Sequence, residues 1–188
     1  MTPGRALAAP LLWNVAGLLS DEPGSTRDYE IAGATINLGD DLRLADPIEG
    51  RVRLARTNRG LIVTADLTTA IAAECARCLR DIEVPIQIRI EEEALPSIDI
   101  HTGAAIRPEP GEGDEPLRLT AHHELDLETA VREAIQLAEP IAPLCRPDCR
   151  GLCVVCGERL DEGNHDHPDD DIDPRLEALR GFNPDDSS

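Results

Sequence analysis

The chain has 188 residues, of which 41% are hydrophobic and only 2% aromatic. It is long enough to fold around a core of its own, and aliphatic side chains must fill that core. The formal net charge is −19 at pH 7, which opposes non-specific attraction to a phosphate backbone and favours either simple solubility or a basic partner.

An apolar run at residues 6–19 follows Arg5 and superficially resembles a signal peptide. Pro10 and Asn14 interrupt the run, no small-x-small cleavage site follows it, and it is too short to span a bilayer. We therefore expect a loose tail over residues 1–10 and a cytoplasmic protein. Thiols stay reduced in that compartment, so six clustered cysteines indicate metal rather than disulfides.

After a short amphipathic element at residues 11–19 and a strand at residues 29–36, the β signal is strongest from Ile48 to Ile90. Apolar and polar residues alternate there in three runs. A turn at residues 57–60 separates the first two runs, and a turn that carries two cysteines separates the last two. Pro85 in the third run cannot donate to a ladder, which predicts either an open edge at that point or a backbone nitrogen that faces outward there.

Residues 96–118 are rich in Pro, Gly and acid, which predicts a surface loop. A helix follows, with Asp126 as its N-cap, and Pro140 and Pro143 end it. One apolar stripe marks its buried face: Leu127, Val131, Ala134, Ile135 and Ala138.

The predicted fold class is α+β, with an antiparallel β-sheet or small open barrel followed by one helix and a C-terminal zinc-knuckle segment. The domain scheme has five parts: a loose tail (1–10), a β-rich domain (11–95), an acidic Pro/Gly loop (96–118), a helix packing on the sheet (119–143) and an acidic zinc-binding segment (144–188).

The spacing of cysteine and histidine carries the chemistry. Two Cys-x2-Cys pairs occur, and Gly157 follows the second, where a positive φ would let backbone amides point at sulfur. Zinc takes four thiolate or imidazole ligands in a tetrahedron, and two sulfurs from one tight turn occupy adjacent corners. Eight candidate ligands result: Cys75, Cys78, Cys145, Cys149, Cys153, Cys156, His165 and His167.

Eight ligands are enough for two structural zinc sites. The preferred partition joins Cys75 and Cys78 to Cys145 and Cys149, and leaves Cys153, Cys156, His165 and His167 as a second, local site. The alternative is a single site made by Cys145, Cys149, Cys153 and Cys156, with Cys75 and Cys78 left over. Alternatively, the side chains of His165 and His167 are simply exposed to solvent and bind no metal. The other histidines have no partner at ligand spacing and are assigned to the surface: His101, His122 and His123.

The sequence contains no nucleophile elbow, phosphate loop or dinucleotide fingerprint. Neither cluster offers three ligands beside a general-base glutamate. We therefore predict no enzyme, no catalytic residue, no organic cofactor and no small-molecule substrate. A redox role for Cys75 and Cys78 is a competing hypothesis, and it requires exposed thiolates of low pKa.

Six arginines stand out in an acidic chain. They either line a solvated face or form a local patch that contacts RNA or a partner. Because side chains in a strand alternate between its two faces, Arg51 and Arg53 lie on the same face. The set comprises Arg51, Arg53, Arg56, Arg59, Arg77 and Arg80.

Four segments in this order carry a resemblance to a known family: Trp13-Asn-Val-Ala-Gly-Leu-Leu19 followed by Pro23-Gly-Ser25, Cys75-Ala-Arg-Cys78-Leu79, the stretch from Glu139-Pro-Ile-Ala-Pro-Leu-Cys145 to Cys156-Gly, and Asp173-Pro-Arg-x-x-x-Leu179. They are similar to the YceD family of bacteria and plastids. Many relatives place Cys-x-Cys where this chain has His165-x-His167, which exchanges one zinc-ligand pair for another.

The resemblance implies a non-enzymatic role in biogenesis of the large ribosomal subunit, through accumulation of its ribosomal RNA, with one or two structural zinc ions. The implied partners are a small basic large-subunit ribosomal protein, whose gene is often adjacent, or pre-ribosomal large-subunit RNA; no membrane is involved. In physical terms, acids at residues 109–115 and 161–173 would shield a basic partner. Direct RNA binding through the arginines and a redox- or zinc-responsive switch are the alternatives.

Overall fold

The computed structural model describes residues 11–40, 42–106 and 117–163, together with residues 165, 167 and 175. The predicted tail and parts of the two acidic segments, 109–115 and 168–173, lie outside these ranges. The described elements are β1 (Leu12–Asn14), α1 (Ala16–Ser20), β2 (Thr26–Ala34), β3 (Arg43–Arg56), β4 (Leu61–Glu74), β5 (Asp81–Leu95), β6 (Leu117–Arg118), β7 (Glu124–Asp126) and α2 (Glu128–Ala138).

The larger sheet has the strand order β2-β3-β4-β5-β6. Its pairings are antiparallel except the last, in which β6 runs parallel to the end of β5 at Ala94 and Leu95. Among the described strands, the outermost two, β2 and β6, do not pair with each other, so the sheet is open. The predicted antiparallel sheet is confirmed with one change, since the short strand β6 makes it mixed.

Alternation along β5 decides which face of the sheet is buried. Ile86, Ile88 and Ile90 are buried, whereas the residues between them are exposed. Strand β6 pairs only with the last two residues of β5, so no described strand covers the other side of Pro85. The open edge predicted from Pro85 is therefore confirmed for the described part of the chain.

Strand β3 departs from regular pairing near Pro47, where the register with β4 shifts on both sides of Asp46. Proline cannot donate to the ladder, which explains a bulge at this point. The Thr69 hydroxyl donates to the Asp46 carbonyl at 2.6 Å and satisfies a buried polar group. At Gly50, with φ 146°, an added Cβ would lie 2.2 Å from the Asp66 carbonyl oxygen, so the strands approach closely there.

Helix α2 packs on β5 with the predicted stripe inward: Leu127, Val131 and Ile135 are buried. The prediction of Asp126 as the N-cap is wrong by one residue, because Leu127 takes that position. The Asp126 carboxylate, just before it, accepts a hydrogen bond from the Glu128 amide at 2.9 Å. The expectation of one helix is wrong, because α1 adds a second. Its five residues are too few to show a helical period.

Strands β1 and β7 form a separate antiparallel pair, with Trp13 opposite Leu125. The predicted element at residues 11–19 is thus divided between β1 and α1. Together with α2 these parts close one hydrophobic core over the buried face of the sheet. A second, smaller cluster is built from Cys75, Cys78 and Cys149. The proposed domain scheme stays a prediction. No helix in the described part of the chain has the length and apolar character needed to cross a membrane.

Candidate metal centres

The first cysteine turn connects β4 to β5. The Cys75 amide donates to the Arg80 carbonyl at 2.8 Å, and the Leu79 amide donates to the Cys75 carbonyl at 3.0 Å. Leu79 has φ 53°, a left-handed conformation that non-glycine residues seldom adopt. The turn brings the sulfurs of Cys75 and Cys78 within 4.8 Å of each other, while Leu79 is 56% exposed.

The segment after α2 brings two more cysteines to this turn. The Ala76 amide donates to the Pro143 carbonyl at 2.8 Å, and the Arg77 guanidinium donates to the Cys149 carbonyl at 2.9 Å. The four sulfurs of Cys75, Cys78, Cys145 and Cys149 all lie within 4.8 Å of one another. We call these four residues the first cluster.

The second cysteine turn repeats the hydrogen bonds of the first. The Cys153 amide donates to the Glu158 carbonyl at 2.6 Å, and the Gly157 amide donates to the Cys153 carbonyl at 2.9 Å. Gly157 has φ 74°, as predicted. The two turns are therefore of one type, with glycine at the left-handed position in the second and leucine in the first.

Two histidines complete a group around this second turn. The ligand atoms of Cys153, Cys156, His165 and His167 lie within 4.8 Å of one another. We call these residues the second cluster. The two clusters differ in exposure: Cys75 and Cys78 are fully buried, whereas Cys156 is exposed.

Sulfur distances in the first cluster fit a tetrahedral ion. A Zn–S bond of about 2.3 Å gives sulfur–sulfur edges of about 3.8 Å in a regular tetrahedron. The Sγ atoms of Cys75 and Cys149 are 3.8 Å apart, and those of Cys78 and Cys145 are 3.7 Å apart. All six cysteines are free thiols rather than disulfides, so the first cluster has both the composition and the size of a four-cysteine zinc site.

The histidines of the second cluster are oriented as metal ligands are. His165 Nε2 lies 2.8 Å from the Arg159 carbonyl oxygen, which only accepts, so Nε2 carries the proton and Nδ1 keeps its lone pair. That Nδ1 lies 3.6 Å from Cys156 Sγ. His167 Nε2 is buried without a hydrogen-bond partner among the described residues. A bound cation would provide a partner for both His165 Nδ1 and His167 Nε2.

Each cluster contains one thiol whose pKa is lowered by backbone amides. The amide of Cys145, ahead of those of Cys78 and Arg77, lowers the pKa of Cys75 to about 6. The amides of Cys156 and Val155 lower the pKa of Cys153 to about 6. Burial, ahead of the neighbouring sulfurs, raises the pKa of Cys145 to about 12.

Burial and then the neighbouring sulfurs keep Cys145 protonated, whereas backbone amides favour the thiolate of Cys75. Four thiolates this close together would repel one another. A divalent cation at the centre offsets that repulsion and lets all four sulfurs ionise. Zinc in such a closed four-ligand site is structural, because no position is open for substrate. The residues therefore fit zinc, and its presence at both clusters stays a prediction.

The grouping of ligands matches the preferred partition rather than the single four-cysteine site. Cys75 and Cys78 lie with Cys145 and Cys149, and the four later ligands form the other group. The competing redox hypothesis required exposed thiolates of low pKa at Cys75 and Cys78. The pKa is lowered at Cys75 but raised at Cys78, mainly by burial. Both residues are 0% exposed, which disfavours the hypothesis.

The six arginines are engaged within the chain. Arg53 pairs with Asp28 through two hydrogen bonds of 2.8 and 3.2 Å, and Arg51 lies 3.6 Å from Glu30. Arg56 donates to three carbonyl groups, those of Leu19, Thr57 and Gly60. Arg77 donates to the Cys149 carbonyl and Arg80 donates to the Glu162 carboxylate, and Arg59 is not without a partner either. Their role in contacting RNA or a protein stays a prediction.

The acids at the start of the predicted 161–173 surface are also paired. Asp161 lies 3.6 Å from Arg80 and 3.2 Å from Arg146, and Glu162 lies 2.6 Å from Arg80. These two carboxylates stabilise the region between the clusters and are less available to a partner than the sequence suggested.

Sequence reasoning missed two residues at this site. Leu79 occupies a left-handed position that normally signals glycine, so its residue type hides the turn. Arg159 lies between the clusters, but a lone arginine outside a motif gives no signal of its position.

Fold and site together define a class of protein: an open, mostly antiparallel sheet with a cysteine turn between its longest strands and two adjacent clusters of thiol and imidazole ligands. Residues 63–183 match the family described as Large ribosomal RNA subunit accumulation protein YceD. The chain belongs to the YceD family.

Mycobacterial proteins are among its relatives. An uncharacterized protein of Mycobacterium tuberculosis (strain ATCC 25618 / H37Rv) is 31% identical over 183 residues, which cover 95% of this chain and 84% of that protein. An uncharacterized protein of Mycobacterium leprae (strain TN) is 29% identical over 181 residues, covering 93% and 78%. No solved structure matches this chain.

Proposed function

We propose that this chain is a non-enzymatic, zinc-binding factor in biogenesis of the large ribosomal subunit, and that it supports accumulation of large-subunit ribosomal RNA in the cytoplasm. The family match over residues 63–183 carries the proposal. The two clusters supply its physical basis: each would hold one zinc ion with four protein ligands and fix the segment after α2 against the sheet.

The proposed partner is a small basic ribosomal protein of the large subunit. A net charge of −19 favours it, because a chain this acidic attracts basic surfaces and repels bare RNA. The described surface offers a cleft of about 960 Å³ between the ends of β4 and β5 and the exit of α2. Four exposed carboxylates line it: Glu74, Asp81, Glu83 and Glu139.

Apolar groups in the same cleft add a second kind of contact. Ile141, which lines it, is fully exposed. An exposed aliphatic side chain beside a row of acids suits a partner with arginine or lysine flanking an apolar residue, since charge gives specificity and apolar burial gives affinity.

Ribosomal RNA in cells that lack the chain tests the function. We expect deletion of the gene in its own host to lower the ratio of large-subunit to small-subunit ribosomal RNA, and the wild-type gene to restore it. Cys75→Ser with Cys78→Ser is expected not to restore it. An unchanged ratio in the deletion strain would contradict the proposal.

A pull-down with the full chain tests the partner. We expect the wild type to recover a basic large-subunit ribosomal protein, and Glu74→Gln with Glu83→Gln to recover several-fold less. Asp40→Asn with Glu133→Gln is the matched control, because it removes the same charge from exposed positions outside the cleft. Equal recovery by both double variants would remove the cleft from the account.

A further inference from the structure

Arg159 contacts both clusters at once. Its backbone carbonyl holds His165 of the second cluster at 2.8 Å. Its side chain reaches the first cysteine turn, where Nε donates to the Cys78 carbonyl at 3.0 Å and the guanidinium lies 3.5 Å from the Leu79 carbonyl. One residue thus orients a ligand of one cluster and supports the turn that presents ligands of the other.

The contacts of the Arg159 side chain require an arginine. The Arg159 side chain is only 33% exposed, and its planar fork suits two neighbouring carbonyl oxygens in a way that lysine does not. The Leu79 carbonyl belongs to the left-handed residue of the first turn. A donor that holds this carbonyl therefore supports the one strained position on which the geometry of the first cluster depends.

A wider ion-pair network surrounds this contact. Arg159 lies 3.5 Å from Glu162, which also pairs with Arg80 beside the first turn. Asp161 bridges Arg80 and Arg146, a neighbour of Cys145. Fixing residues 159–162 from the second cluster therefore restrains both chain segments that supply the first cluster.

From this arrangement we propose that Arg159 couples the two metal centres, so that an ion bound by the second cluster raises the affinity of the first for its own ion. The inference rests on the proposed two-zinc function. Linkage requires the effect to be reciprocal. A coupling of this kind is expected to change affinity roughly ten-fold, within the usual range of 5- to 150-fold.

A second route of coupling must be separated from this one. Cys149 of the first cluster and Cys153 of the second are close in the chain, so the backbone between them also connects the clusters. Coupling through that segment does not need the Arg159 side chain. Substituting Arg159 while both ligand sets are kept therefore distinguishes the two routes.

The experiment uses the full zinc-loaded chain and a chelator titration. Occupancy of the first cluster is measured as protection of Cys75, Cys78, Cys145 and Cys149 from alkylation, resolved by peptide mass spectrometry. Four proteins form a cycle: the wild type, His165→Ala with His167→Ala, Arg159→Met, and the combination. Arg89→Met is the control, since Arg89 is exposed on β5 and pairs with Asp66 and Glu91.

With Arg159 present, emptying the second cluster is expected to lower the chelator concentration that half-exposes the first cluster about ten-fold. With Arg159→Met, the same change is expected to have less than about a two-fold effect. Arg159→Lys keeps the charge but loses the fork and is expected to behave like Arg159→Met, which provides a second variant if methionine prevents folding. Arg89→Met should behave as the wild type.

Two results would overturn the coupling alone: no change in the first cluster when the second is emptied, or an equal ten-fold change with and without Arg159. A wild type that protects none of its cysteines would instead overturn the zinc function itself. The two failures are therefore distinguishable.

Discussion

Leu79 and Gly157 occupy the same position in two turns that share their hydrogen bonds. The left-handed conformation costs a non-glycine residue roughly 1–2 kcal/mol, so the first turn is strained and the second is not. An added Cβ at Gly157 would meet no atom within 4 Å. The effect of a substitution there is therefore conformational rather than steric.

We accordingly predict opposite effects at the two positions. Gly157→Ala should lower the free energy of unfolding by about 1 kcal/mol, and Leu79→Gly should raise it by about 0.5–1 kcal/mol, because glycine carries no left-handed penalty. Urea unfolding at one fixed zinc concentration measures both. Destabilisation of similar size in both variants would show that Leu79 is held by packing rather than strained.

Single residues at the site were predictable where they are candidate metal ligands and not where they support those ligands. The spacing of Cys153, Cys156 and the His-x-His pair predicts a local group because the ligands are close in sequence. Cys75 and Cys145 are seventy residues apart in sequence, and only the ligand count suggested that they meet. Arg159 has no signature, because its contacts depend on how the two turns pack.

Among the elements, helix α2 gives the clearest test of packing. Ile135 is fully buried against the core, while Leu137, two residues later, is 88% exposed. We predict that Ile135→Ala lowers the free energy of unfolding by about 2–5 kcal/mol through lost burial and a cavity. Leu137→Ala should change it by less than about 0.5 kcal/mol.

Urea unfolding of the two alanine variants compares them directly, with the same number of carbon atoms removed in each. A large loss in Leu137→Ala would indicate that the outer face of α2 is covered in solution, by another molecule or by chain outside the described ranges.

Long elements were easier to predict than short ones. Strands β3, β4 and β5 and helix α2 show their period over enough residues to fix both type and buried face. Strands β1, β6 and β7 have two or three residues each, too few for any period. Their pairing depends on tertiary contacts such as Trp13 opposite Leu125, which no local pattern encodes.

At the scale of the whole molecule, two kinds of interior hold the fold together. The main core is aliphatic and lies between the sheet and the helices. The smaller interior consists of three buried cysteines with a few aliphatic neighbours, so it has little hydrophobic stabilisation of its own. Binding of a structural zinc ion can contribute about 10–16 kcal/mol, and we infer that the ions stabilise this part.

Removal of metal should therefore loosen one part of the molecule selectively. We predict that a chelator abolishes amide hydrogen-exchange protection in residues 75–80 and 144–163, while protection in β3 and β4 persists. Exchange measured by mass spectrometry with and without chelator resolves these segments. Uniform loss across the chain, or none at all, would contradict a division of stability between core and metal.

Composition predicted the charge of the whole molecule but not its distribution. The sequence suggested that acids at 161–173 face a partner, whereas Asp161 and Glu162 are paired with arginines near the clusters. The cleft lined by Glu74 and Glu83 could not be predicted from the sequence, because its lining residues come from strand ends and a helix end that are distant in the chain.

Metal content of the purified, untagged chain tests the central claim most directly. Elemental analysis should find two zinc ions per chain in the wild type and one in His165→Ala with His167→Ala. It should again find two in His101→Ala with His122→Ala, which removes two exposed histidines outside both clusters. A wild type without bound transition metal, or with disulfides among these cysteines, would contradict the account.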